Sequence, residues 1–159
     1  MTADQLGTAI VDSYYAETSD NETLALVDLE TMPALQAAVS TLADALLAHP
    51  SLFAAVETAR QSAQMFYSLD EHRDLVAAAT EIAAAPGAQG TLTGAATAVV
   101  DQLTTTIVHS RSQSSHPGAH GLAIYFPAHG GGLDAAYTGP GAVWSEQTHW
   151  DEFLEAFTQ

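Results

Sequence analysis

The residues of this 159-residue chain that could do chemistry are its histidines and carboxylates. Four of its seven histidines crowd one segment: His109, His116, His120 and His129. A zinc site needs three or four such ligands at defined spacing. His116 and His120 stand four apart, but Pro117 and Gly118 lie between them, so no helix turns both to one face. Exposed or hydrogen-bonded histidines are therefore expected, with no metal ligand among them. His129-Gly130-Gly131-Gly132 offers backbone amides of the kind that cradle phosphates or oxyanions. It lacks the lysine and following helix of a P-loop, and a surface loop is the expectation. No Gly-x-Ser-x-Gly elbow is present. The absence of cysteine removes a thiol nucleophile, a thiolate metal site and a disulfide framework from this chain. Carboxylates adjoin at Asp70/Glu71 and at Asp151/Glu152, both at expected helix N-termini, where acids stabilise the dipole. Arg60 and Arg73 read as structural ion-pair partners. The residues alone thus yield no catalytic residue, no metal site and no cofactor.

The formal net charge is −16, with nineteen acids, three arginines and no lysine. A polyanion needs a basic footprint, so nucleic acid is not an expected partner. Anionic membrane surfaces are excluded on the same ground. Self-repulsion on this scale weakens the compact state at low salt and favours solubility. Two readings stay open: a protein from a high-salt environment, or an alanine-rich acidic protein from a GC-rich genome. The length fits one domain over residues 1–159, and 47% hydrophobic residues exclude disorder by composition. Met1-Thr-Ala-Asp-Gln5 has no basic region before an apolar run, and no long apolar stretch follows, so neither a signal peptide nor a membrane span is expected. Asn21-Glu22-Thr23 matches the glycosylation sequon but reads as a turn.

These residues must be positioned by a series of helices and strands. Thr2 and Gln5 form a capping box for a helix ending near Tyr15, with Leu6, Ile10, Val11 and Tyr14 as its apolar stripe. Thr23 to Leu29 reads as a buried strand. Pro33 opens a helix striped by Leu35, Ala38, Val39, Leu42, Leu46 and Leu47, with His49 at its negative end. Pro50-Ser51 restarts a helix through Leu52, Phe53, Val56, Ala59 and Ala63. Gln64 to Ser68 is open between strand end and loop. Asp70 is the expected cap of a helix running to about Ala85 and stopped by Pro86-Gly87. Ala95 to Leu103 reads as helix, and Thr104 to His109, being β-branched, as strand. Ser110 to Gly118 reads as an exposed hairpin-like connection. Gly121 to Pro127 reads as a strong strand and Ala128 to Ala142 as a glycine-rich loop. Thr148 is the expected cap of a last helix that turns Trp150, Phe153, Leu154 and Phe157 to one side. Strands alternating with helices give an α/β layer structure, but three clear strands are too few for a full doubly wound sheet.

Four segments taken together resemble the C-terminal half of the clostripain family of cysteine peptidases. They are Leu6-Gly-Thr-Ala-Ile-Val-Asp-Ser-Tyr-Tyr15, Thr23-Leu-Ala-Leu-Val-Asp-Leu29 with its following helix, Gly121-Leu-Ala-Ile-Tyr-Phe-Pro127, and Thr148-His-Trp-Asp-Glu-Phe-Leu154. The resemblance spans nearly the whole chain, and the third segment is its most specific part. It implies a caspase-like fold, of which this chain would form part of a three-layer α/β/α sandwich around a mainly parallel sheet. It implies cleavage of peptides after basic residues, arginine above all, by a His/Cys dyad with backbone amides holding the oxyanion. The family's His-Gly and Cys motifs precede the matched segments, and this chain has no cysteine. His129-Gly130 imitates the His-Gly pair but follows the strand at 121–127, so no catalytic residue is carried over. The implied role is a non-nucleophilic C-terminal portion, inactive alone, whose partners are the N-terminal catalytic half and a basic peptide substrate. A stand-alone acidic scaffold or binding module is the rival expectation.

Overall fold

The expected capping box opens the chain. In the computed structural model, which describes residues 1–18, 22–66, 69–138 and 141–159, the Thr2 hydroxyl accepts the Gln5 amide and the Gln5 side chain accepts the Thr2 amide. Helix α1 follows over Ala3–Glu17. It lies on a two-stranded antiparallel sheet made by β1 (Thr23–Val27) and β4 (Ile107–Ser112). The approach is close: a Cβ placed on Gly7 would stand 2.6 Å from Leu26 Cδ1. The expected buried strand is therefore present but shorter, and all five of its residues are only half-buried. A sheet two strands wide leaves its backbone and side chains partly open, whatever their hydrophobicity.

The core belongs to helices, which make up 59% of the chain. Helix α2 (Met32–Leu47) buries Leu35, Val39, Leu42 and Leu46, as its stripe predicts. After a 3-10 turn at Pro50–Leu52, α3 (Phe53–Ser62) buries Phe53, Val56 and Ala59. Helices α4 (Leu75–Ala84) and α5 (Thr91–Thr106) pack closely because alanines stand at their contacts: Ala78, Ala79, Ala95 and Ala96 are all buried. The last helix, α7 (Trp150–Phe157), buries Trp150, Phe153, Leu154 and Phe157, and its first turn carries Asp151 and Glu152. These aromatic rings meet Phe53 and Phe126 in edge and tilted contacts with centroids 4.9–5.9 Å apart.

A second antiparallel sheet runs in the order β2 (Met65–Phe66), β3 (Leu69–Asp74), β5 (Ala123–Tyr125). Its register places His72 opposite Tyr125, Arg73 opposite Ile124 and Asp74 opposite Ala123. This overturns the expected helix from Asp70. Residues 69–74 are strand, so Asp70 and Glu71 do not sit at a helix N-terminus. The cap is Asp74, whose Oδ1 accepts the Ala77 amide at 2.9 Å. The polar run Glu71-His-Arg-Asp74 has little β propensity of its own; pairing with β5, far along the chain, decides its conformation.

Other boundaries shift for local reasons. Thr104, Thr105 and Thr106 are helical, not strand, because each hydroxyl donates back to a carbonyl of the preceding turn, at 2.7–3.0 Å. Strand β4 then runs to Ser112, taking the first part of the expected connection. Strand β5 is three residues long. The loop after Pro127 holds a 3-10 turn at Ala135–Tyr137 and leads into a short helix, α6 (Val143–Gln147), that the glycines hid. The geometric cap of α7 is His149, one residue after Thr148, whose hydroxyl accepts the Trp150 amide at 3.4 Å. Asn21 of the sequon, and Tyr67 and Ser68 of the undecided stretch, lie outside the described residues. The chain is thus an α/β fold with small antiparallel sheets, and every described strand pair is antiparallel.

Candidate functional site

The four clustered histidines go to four different places. His109 Nε2 lies 2.9 Å from Asp12 Oδ1 on α1. His116 is buried and stacks on Phe66 with centroids 5.7 Å apart. His120 Nδ1 lies 2.9 Å from Asp74 Oδ1, while its amide donates to Asp74 Oδ2. The His129 ring approaches the Phe157 carbonyl and packs against Phe53. Among the described residues, no three His, Asp or Glu side chains converge as metal ligands would. The glycines after His129 are no anion cradle: Gly130 donates its amide to Phe157 and Gly131 to Ala128.

Arg60 is a structural ion-pair partner, as expected, and builds a well-defined polar cluster. Arg60 Nε donates to Glu57 Oε2 at 2.8 Å and Nη2 to Oε1 at 2.9 Å, a bidentate pair one turn apart on α3. Nη1 donates to the Phe126 carbonyl at 3.3 Å. Glu57 also accepts the His129 amide at 3.0 Å and Gln61 Nε2 at 2.7 Å. Burial pushes the Glu57 carboxyl up, but Arg60, the His129 amide, Gln61 and the Arg60 charge together hold it at about 2. The cluster fastens the segment after β5 to α3. Arg111 Nε donates to Asp12 Oδ1 at 2.8 Å; with His109 it holds the Asp12 carboxyl below its usual value. At the other carboxylate pair, burial and then the hydrogen bond with Glu152 raise Asp151.

A cleft of about 430 Å³ with apolar walls and a few polar groups lies where α2, α7 and the second sheet meet the segment between β5 and α7. Met32, Leu75, Ile124, Trp150 and Leu154 line its floor. Tyr125 and Tyr137 stack with centroids 4.0 Å apart and planes 7° from parallel. His72 packs against both rings, and the Tyr137 hydroxyl lies 3.0 Å from its Nε2. The Tyr125 hydroxyl accepts the Asp134 amide at 3.0 Å, and burial pushes its pKa above the ordinary tyrosine value. Trp150 Nε1 donates to the Tyr125 carbonyl at 2.8 Å, and the Ser145 hydroxyl donates to the Tyr137 carbonyl. Such a site can bind and orient a small molecule. Sequence reasoning missed it because its walls come from five separated segments. The one local signal is two large aromatics, Tyr137 and Trp144, in a glycine-rich stretch.

No family model, no curated protein and no solved structure matches this chain.

Proposed function

We propose that the chain is the non-nucleophilic C-terminal portion of a clostripain-like cysteine endopeptidase that cleaves after basic residues. In this reading it supplies strands and covering helices to a caspase-like α/β/α sandwich. The observation that carries it is the uncovered layer formed by α1, β1 and β4. Leu6, Ile10 and Tyr14 recur every four residues along α1 and are 50%, 55% and 40% exposed. Clustered apolar side chains of this size mark a surface that another element covers. β1 bonds to β4 alone and β5 to β3 alone among the described residues, so each sheet offers an edge to further strands. In this reading the thiolate comes from the partner half, since this chain has no cysteine, and the charge of −16 suits a substrate with basic side chains. The coding sequence upstream of Met1 tests the reading. It should encode a His-Gly pair and a strand ending in cysteine, and co-expression of that half should yield arginyl-peptide cleavage that neither half shows alone. Cleavage by this chain alone, or an upstream sequence without those motifs, overturns it.

A stand-alone binding module is the second reading, favoured by one observation: the buried core is continuous from Leu35 to Phe157 without help from another chain. Cooperative unfolding of the isolated chain in salt supports this module. A molten state with exposed apolar surface supports the missing half.

A further inference from the structure

The cleft beside His72 has features that neither reading uses. Its lining residues carry two buried ring nitrogens with no hydrogen-bond partner among the described residues, Nδ1 of His72 and Nε1 of Trp144. Buried polar atoms are nearly always satisfied, and an unsatisfied one calls for an explanation. The indole nitrogen is a donor only. The other ring nitrogen of His72, Nε2, is engaged by the Tyr137 hydroxyl; when that hydroxyl donates, Nδ1 carries the proton and is also a donor. The walls of the cleft are apolar and aromatic, with Tyr125 and Tyr137 stacked on one another beside Trp144 and Trp150 in its lining. The volume lies within the range of small-molecule sites.

We propose that this cleft binds an uncharged, planar aromatic molecule bearing a hydrogen-bond acceptor such as a carbonyl oxygen. The ring lies against the tyrosine and tryptophan faces, and the oxygen accepts from the Trp144 indole N–H, with His72 as the second donor. Charge selects against the alternatives. A carboxylate or phosphate would enter a protein of net charge −16 with no arginine in the cleft wall. A cation would find no aspartate or glutamate there. The proposal is independent of the peptidase reading, because it needs neither a partner half nor a nucleophile.

The chain carries its own reporter, since both of its tryptophans, Trp144 and Trp150, line the cleft. The probe is 6-propionyl-2-dimethylaminonaphthalene, a neutral planar ketone whose emission shifts blue in apolar surroundings. The control is N-phenyl-1-naphthylamine, which has no carbonyl. Titration of the full chain should give a saturable blue shift with quenching of tryptophan emission. Trp144→Phe keeps an aromatic ring and removes the donor; it should weaken the ketone about five- to tenfold and the control by less than about twofold. Ala136→Phe fills the mouth from an exposed position of the 3-10 turn and should abolish binding of both probes while leaving the melting temperature unchanged. No saturable binding up to about 1 mM overturns the proposal. So does ketone binding that survives Ala136→Phe, or equal weakening of both probes by Trp144→Phe.

Discussion

Replacing Glu57 by glutamine tests whether a single buried cluster holds the segment after β5 to the helical core. The folded carboxyl titrates at about 2 instead of 4.5, and at about 1.4 kcal/mol per pH unit the difference is worth about 3 kcal/mol of stability at neutral pH. The side chain is 17% exposed, so little of this is screened away. The sign follows from the direction. A depressed carboxyl stabilises the fold above its unfolded value, and that contribution falls as pH drops from 4.5 through about 2. At about pH 3 it should have shrunk to about 1.4 kcal/mol by the same linkage relation. Glu57→Gln imitates the protonated form, so the gap between wild type and variant should follow that curve. Chemical denaturation in about 1 M NaCl, where the Debye length is about 3 Å, suppresses the general repulsion and isolates the cluster. The melting temperature should fall by roughly 6–12 °C at pH 7, given 2–4 °C per kcal/mol for a chain of this size. A loss below about 1 kcal/mol at pH 7 would refute the reasoning, and so would a gap that stays constant into acid.

Three further outcomes are expected. Asp74→Ala removes the cap of α4 and both contacts to His120 at a position with no exposed surface, and should cost about 2–3 kcal/mol in a urea titration. Gly121→Ala should cost about 1–3 kcal/mol, because φ is +132° and the new methyl would meet Ala25 Cβ at 2.9 Å. His149 should titrate above the usual histidine value, because Asp44 accepts from its ring and adds its charge, with smaller contributions from Glu152 and Asp151; proton NMR should show most of the shift lost in Asp44→Asn.

The elements that were legible in the sequence are those whose determinants are local. Thr2 and Gln5 mark α1, Leu35 to Leu46 mark α2, and Trp150 to Phe157 mark α7, each by capping chemistry or a 3.6-residue stripe. The elements that were not legible depend on distant partners. Strand β3 is polar and is held extended by β2 and β5. The stripe of α1 was read correctly as helical, yet its helix buries only Val11, since periodicity reports a face and not what covers it. The threonines at 104–106 mislead for the opposite reason. Their β-branching favours a strand in isolation, and their hydroxyls favour one more helical turn in context. The candidate cleft was invisible because His72, Tyr125, Tyr137 and Trp144 become neighbours only through the register of β3 with β5 and the turn that follows.

Histidine takes the place of lysine in the ion pairing of this chain. With no lysine and three arginines for nineteen acids, the described acids find histidine partners: Asp12 with His109, Asp44 with His149 and Asp74 with His120, all at 2.8–2.9 Å. Lysine would keep such pairs charged throughout the neutral range; histidine does not. His149, held up by Asp44, stabilises the fold fully below about 6.5 and loses that contribution as pH rises through its folded value. Glu57 works in the other direction and loses its contribution below 4.5. Mild acid therefore favours the His149–Asp44 contact while leaving the Glu57 cluster intact. Added salt screens the repulsion among the nineteen acids and favours the compact state at any pH in this range.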